Sequence, residues 1–140
     1  MELTRRSASR NLLGMTALGA LLSAPLCAAD EAAKSPRARH CLSVFYPWQA
    51  DARFDFDYYR AKHLKMMGDL YGKSVGRFDV RKGLRKGDGS SPAFIAVMTV
   101  EIRSMEGFDA AGKQHLPALL ADLANFSNVT PVGQIEELVG

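Results

Sequence analysis

Cysteine is scarce in this chain: 140 residues contain two. One of them, Cys27, lies in an N-terminal segment that has the character of an export signal, so the mature chain would keep only Cys41. A single cysteine excludes an internal disulfide, even in an oxidising compartment. The folded domain must therefore be held together by an apolar core.

Patterns typical of metal and phosphate sites are also missing from the sequence. His40, His63 and His115 form no His-x-x-x-His or Cys/His grouping. No glycine-rich loop opens a helix, since "KGDGSSP" (86–92) has the composition of a turn. No GxSxG nucleophile motif is present. We therefore expect no metal ion and no bound cofactor.

Long hydrophobic runs are absent too, and the longest uncharged stretch belongs to residues 1–29. This segment has a positive start, a small and apolar middle, and small residues before an expected cleavage between Ala29 and Asp30. The apolar run is shorter than the ~20 residues of a membrane span. Arg5-Arg6 favours the twin-arginine route, although no bulky apolar residue follows the pair. We expect an exported bacterial protein, periplasmic or secreted, with no membrane attachment after cleavage.

The mature chain would carry little net charge. Residues 1–29 hold three of the 18 Lys and Arg residues and one of the 15 Asp and Glu residues, which leaves a net charge of +1 on 111 residues. This balance gives no electrostatic case for nucleic acid as a partner. The length suits one compact domain. We assign 30–38 to a flexible tether and 39–140 to the domain.

The periodicity of apolar residues predicts six elements in the order β-α-β-β-α-β. Alternating patterns predict strands, and 3.6-residue patterns predict helices. The strands are predicted at 39–47, 74–87, 93–103 and 130–140, and the helices at 56–72 and from Ser104 onward. Right-handed crossovers turn this order into a ferredoxin-like α+β fold, in which two helices cover one face of a four-stranded antiparallel sheet.

Several residues mark the ends of the predicted helices. Asp55 and Ser104 are suitable N-caps, and Gly72 lies where the first helix should stop. Pro117 falls inside the second helix and predicts a break or kink, so two helical pieces are expected there. The apolar stripe of the second helix consists of Met105, Phe108, Leu116, Leu119, Leu120 and Leu123.

The third strand has apolar residues on both sides, although two helices can cover only one face of the sheet. One side contains Ala96, Met98 and Val100, and the other contains Ile95 and Val97. An uncovered apolar face usually marks an interface. We therefore expect a homodimer in which two sheets pack face to face, with a pocket between sheet and helices in each subunit.

Three segments together resemble the EthD family, a branch of the dimeric α+β barrel superfamily. They are "SVFYPWQADARFDFDYYRAKHLKMM", "AFIAVMTVEI" and "ADLANFSNVTPVGQIEELV", which span about 40–139. The resemblance implies a ferredoxin-like protomer, dimerisation through the sheets, a small cavity and a generically oxidoreductase-like activity. The family usually continues its histidine as His-x-Pro, whereas Lys65 replaces that proline here.

His63 is the strongest candidate for chemistry. It shares an apolar helix face with Tyr59, Met67 and Leu70, because residues three and four apart are neighbours on a helix. An imidazole there can act as a general acid or base near neutral pH. The alternative is a structural histidine that bonds a backbone carbonyl or Tyr46 while filling space.

Four polar residues near the histidine complete the set of candidates. Tyr46 and Tyr59 could donate hydrogen bonds to a substrate carbonyl or phenol, or could simply fill the core. For Tyr58 the composition favours packing, and for Asp122, followed by Asn125, it favours turn chemistry over catalysis.

Two functions from different classes follow from these residues. The first is an exported EthD-type enzyme in which His63 transfers a proton while Tyr46 and Tyr59 orient a small apolar or aromatic substrate. The second is a non-catalytic dimeric module that holds a small ligand in the same cavity.

Overall fold

Four strands form one antiparallel sheet with the order β2-β3-β1-β4. The computed structural model describes residues 38–140, so the predicted signal and all but the last residue of the predicted tether lie outside the described residues. The strands are β1 (His40–Pro47), β2 (Val75–Lys82), β3 (Phe94–Ile102) and β4 (Val132–Glu137). β1 and β3 are central, and β2 is an edge strand, as its polar alternation predicts. The predicted ferredoxin-like α+β fold is confirmed.

The first crossover is one helical run in three parts. It consists of α1 (Phe56–Tyr58), a π-helical segment (Tyr59–His63) and α2 (Leu64–Tyr71), and a 3₁₀ turn (Gly72–Ser74) follows it. The Asp55 carboxylate accepts the backbone N–H groups of Asp57 and Tyr58, which confirms the predicted N-cap. At the other end Gly72 adopts a φ of 52°, a conformation that favours glycine and ends α2.

The second crossover is a single helix, α3 (Met105–Asp122), capped by Ser104, whose hydroxyl accepts the Gly107 N–H. The predicted break at Pro117 is wrong, because the helix continues through it. A proline removes one backbone hydrogen bond from the helix. Pro117 is exposed, so water can satisfy the freed carbonyl, and the burial of Phe108 and Leu119 on either side holds both halves of the helix in line.

The second strand is shorter than predicted, since β2 ends at Lys82 instead of 87. Gly83 still donates its N–H to the Ile95 carbonyl, but the carbonyl of Ala93, the residue before β3, accepts the N–H of Trp48 and not that of a residue after Gly83. Residues 84–92 lie outside the strands, and Leu84 at the start of this segment is 80% exposed.

The core lies between the helices and one face of the sheet. Its buried members come from the strands β1, β2 and β3, from both crossovers and from the loop before β4. They are Tyr46, Tyr59, Met67, Tyr71, Val75, Ala96, Met98, Val100, Ile102, Phe108, Leu119, Phe126 and Val129. Leu116 and Leu120, predicted for the buried stripe of α3, are instead about half exposed.

The opposite, open face of the sheet carries more polar side chains than the sequence of the third strand alone suggests. A polar belt runs across all four strands: the Ser43 hydroxyl contacts Thr99 and donates to Glu136, and Arg81 donates to Thr99 from the other side. The Cys41 thiol also reaches Glu136. Apolar residues such as Phe45 and Val97 occupy one end of this face.

Within residues 38–140, no helix is long and apolar enough to cross a membrane.

Candidate functional site

A π-helical segment brings the two strongest candidates together. The backbone N–H of Leu64 bonds the carbonyl of Tyr59, five residues earlier, where an α-helix would bond four residues apart. Such segments are rare and occur frequently at functional sites. Tyr59 and His63 form the two ends of the segment, and both are buried. Their rings stack with centroids 5.0 Å apart and an interplanar angle of 19°.

The imidazole of His63 is held by the carboxylate of Asp122. The distance between His63 Nδ1 and Asp122 Oδ2 is 2.8 Å, and both side chains are largely buried. An ionised carboxylate can only accept hydrogen bonds, so Nδ1 carries a hydrogen, and in the neutral imidazole Nε2 is then the acceptor. The partner is therefore a carboxylate, and neither of the partners considered for a structural histidine, a backbone carbonyl or Tyr46.

Asp122 is itself fixed by two further donors. The Tyr58 hydroxyl donates to Oδ1 at 2.8 Å, and the Asn125 side-chain amide donates to the same oxygen at 2.9 Å. Burial alone would raise the pKa of Asp122, but the hydrogen bonds from Asn125, His63 and Tyr58 outweigh it and hold the pKa below its usual value. The carboxylate is thus ionised at neutral pH and can keep the hydrogen of His63 on Nδ1.

The two tyrosine hydroxyls of Tyr46 and Tyr59 meet beside the histidine. Tyr46 on β1 donates to the Tyr59 hydroxyl at 3.4 Å, so the hydrogen of Tyr59 remains available to a third group. Burial raises the pKa of Tyr46 to about 12 and raises that of Tyr59 further. Both hydroxyls therefore stay protonated and act as donors.

Phe126 is the apolar centre around which these groups are arranged. Its ring centroid lies 4.6 Å from that of His63 and 4.9 Å from that of Tyr59. The backbone N–H of Asp55 donates to the Phe126 carbonyl at 2.8 Å, so the loop after α3 is tied to the start of the first helix. This tie places Asp122 opposite His63.

A small cavity opens between these residues and the sheet. Its volume is about 90 Å³, and its walls are almost entirely apolar. Tyr46, Tyr59 and His63 all line it, together with Met67 and Phe126. The three residues predicted as catalytic therefore share one cavity wall. Trp48, which follows β1, is 42% exposed and does not line the cavity.

Two members of the site were missed by sequence reasoning. The sequence favours turn chemistry for Asp122, and Asp122 does bond Asn125, but its carboxylate also holds His63. The sequence favours packing for Tyr58, whereas the Tyr58 hydroxyl donates to Asp122. A signal existed for Asp122, because it belongs to the sequence pattern that carries the EthD resemblance.

No group of three or more His, Cys, Asp and Glu side chains in the described part of the chain could hold a metal ion.

Comparison with known proteins indicates the family to which the chain belongs. No family model matches the chain, and no curated protein matches it. Among solved structures, the chain is similar to an EthD-like protein from Ralstonia eutropha JMP134, with 35% identity over 74% of this chain and 95% of that one, and a TM-score of 0.68. It also resembles an EthD family protein from Bacillus halodurans C-125 in fold, with 18% identity over 71% and 98% of the two chains and a TM-score of 0.52.

The fold and these likenesses define a ferredoxin-like protomer of the dimeric α+β barrel class. Within that class the chain belongs to the EthD-like family, since the Ralstonia relative exceeds a third identity over nearly its whole length.

Proposed function

We propose that this chain is an exported EthD-type protein that binds a small apolar molecule with a carbonyl or phenol group and moves a proton with His63. The single observation that supports this most is the 2.8 Å pair between His63 Nδ1 and Asp122 at the wall of an apolar cavity. A buried imidazole oriented by a carboxylate is the arrangement of a general base.

The proposed step uses the protein's own groups alone. A carbonyl ligand would accept a hydrogen bond from the Tyr59 hydroxyl, while His63 Nε2 takes a proton from the carbon next to the carbonyl. The product is an enolate on the ligand and a protonated imidazole, which Asp122 stabilises. Return of the proton closes the cycle. An oxidoreductase-type reaction would start from the same enolate and would need an added electron acceptor, such as O₂, to take its electrons.

Two further parts of the proposal concern the setting of the site. We propose that two copies associate through the open face of the sheet, on the strength of its apolar end with Phe45 and Val97. We also propose export to the periplasm or the medium, which rests on the sequence of residues 1–29.

A non-catalytic binding module is the second candidate. The observation in its favour is that the hydroxyls of Tyr46 and Tyr59 bond each other, so the two tyrosines hold each other in place without a ligand. In that case the His63–Asp122 pair would act as a fixed polar contact for the ligand's hydroxyl or carbonyl.

Exchange of ligand hydrogens with solvent separates the two functions without knowledge of the natural substrate. The probe is 2-butanone in D₂O, and the readout is deuterium incorporation next to the carbonyl, measured by NMR. We expect the wild-type protein to accelerate exchange and His63→Ala to abolish it. His115→Ala serves as the matched control, because His115 lies on α3 outside the cavity lining.

Two results would decide against catalysis. If the wild-type protein binds 2-butanone, as seen by ligand-observed NMR, but exchange stays at the solvent rate, the binding module is correct. If His115→Ala lowers exchange as much as His63→Ala does, the effect is not that of the proposed site.

A further inference from the structure

We infer that the ligand of this site is an elongated amphiphile, with its carbonyl in the inner cavity and an apolar tail in the groove between α3 and β4. This inference rests on the proposed function, because it assigns the carbonyl end to the His63 cavity. It adds a second subsite and the shape of the ligand.

The inner cavity is too small for a whole ligand. Its volume is about 90 Å³, which is smaller than the apolar cavity of about 150 Å³ that is known to bind benzene. A carbonyl and its neighbouring carbons fit beside His63, but an aromatic or longer molecule must extend beyond the cavity. The direction of that extension is set by where the cavity opens.

The cavity opens into a larger groove. The groove has a volume of about 600 Å³, in the range of small-molecule sites. The two spaces share six wall residues from β1, α2, α3 and the loop before β4: Leu42, Val44, Tyr71, Leu116, Leu120 and Pro131. A molecule held at His63 can therefore continue into the groove along a shared apolar wall.

Exposed apolar side chains border the groove. Leu116 and Leu120 on α3 are 48% and 53% exposed, and Ile135 on β4 is 48% exposed. All three line the groove. Contact with an apolar tail would remove this surface from water, which favours binding. Asp109, Lys113 and Gln134 form a polar rim at which such a tail would end.

Two glycines keep the groove open. A Cβ added to Gly112 on α3 would lie 3.5 Å from the Tyr71 hydroxyl, and one added to Gly133 on β4 would lie 3.6 Å from Leu42. Both are ordinary contact distances, and neither glycine has a positive φ. A Cβ is therefore accommodated at both positions, and a larger side chain built on it would compete with the tail for the space of the groove.

The test uses a series of linear methyl ketones from 2-butanone to 2-decanone, with solvent exchange as the readout. For the wild-type protein we expect kcat/KM to rise about two- to fourfold per added methylene until the groove is filled. In Gly112→Leu and in Gly133→Val we expect the rise to be lost, while exchange of 2-butanone is retained. Ala110→Leu is the matched control, because Ala110 is exposed on the same helix outside the groove lining.

Three results would overturn the inference. The first is a kcat/KM that does not change with chain length in the wild-type protein. The second is an equal rise in the groove variants and in Ala110→Leu. The third is a change in the solution mass of Gly112→Leu with an unchanged chain-length profile, which would identify the groove as a contact between copies. If the wild-type protein accelerates exchange of no ketone, 2-butanone included, the proposed function is refuted instead.

Discussion

His63 and Asp122 are 59 residues apart in the chain, yet Nδ1 of the first and Oδ2 of the second are 2.8 Å apart. The two residues come from different crossovers of the fold, one from the π-helical segment and one from the last turn of α3. The pair therefore exists only when both helices are correctly seated on the sheet, and this makes it sensitive to small changes in either one.

Replacing Asp122 by Asn should prevent His63 from acting as the general base while leaving the imidazole in the site. An amide can donate to Nδ1 and so favour the other tautomer, with the hydrogen on Nε2. We expect ketone exchange to fall about 10²–10⁴-fold, the usual contribution of a general base. Ring-nitrogen NMR of His63 should report the change of tautomer. Exchange at the wild-type rate in Asp122→Asn would show that the carboxylate does not orient the base.

Acid should lower the free energy of unfolding of the wild-type protein more than that of Asp122→Asn. The folded-state pKa of Asp122 is lowered, so its stabilising effect is fully present above the unfolded pKa of about 3.9 and is lost as pH falls through the folded value. Hydrogen bonds to a charged group contribute about 1.5–3 kcal/mol. Urea unfolding should show that, near pH 7, the free energy of unfolding of the wild type is higher than that of Asp122→Asn by an amount of that order. The gap should shrink as pH falls below the unfolded pKa of about 3.9, and a gap independent of pH would contradict this assignment.

Deleting Ala61 should convert the π-helical segment into ordinary α-helix. Ala61 is exposed, and a turn closed by an i→i+5 bond holds one residue more than an α turn with the same ends. Met67 and Tyr71 should keep their buried positions, so thermal unfolding should change little. Tyr59 and His63 become three residues apart, which ends their stacking, and exchange should fall at least about tenfold. A variant that unfolds at the same temperature and exchanges at the wild-type rate would rule out a role for the segment.

A charge on the open face should separate the proposed dimer. Val97 lies at the apolar end of that face, and an aspartate there would be buried against the partner without a counter-ion. We expect the wild type to sediment as a dimer at micromolar concentration and Val97→Asp as a folded monomer. Ala118→Asp, on the exposed side of α3, should stay dimeric. A wild-type monomer at these concentrations would refute the dimer.

Local rules were sufficient to predict much of the fold. Asp55 and Ser104 cap their helices as expected, since N-capping depends on neighbouring backbone groups alone. Gly72 likewise stops the first helix through its own φ. Pro117 is where local propensity fails, because tertiary burial of Phe108 and Leu119 outweighs one lost hydrogen bond.

The site could be predicted only in part. The placement of Tyr59 and His63 on one helix face follows from their spacing, but the π-helical turn between them depends on a single bond shifted by one residue. The contact with Asp122 depends on how α3 docks, which no short-range pattern reports. Tyr58 could not be recognised as part of the site for the same reason, because its function is visible only once Asp122 has been placed.

The polar belt on the open face bears on how the protein assembles. Ser43, Thr99, Glu136 and Arg81 find their hydrogen-bond partners within one chain, so none of them depends on a second copy. A newly folded single chain would thus be a stable monomer in water. Association is then a separate step between folded monomers, and its extent depends on concentration. Dilution should therefore yield folded monomers before it yields unfolded chains.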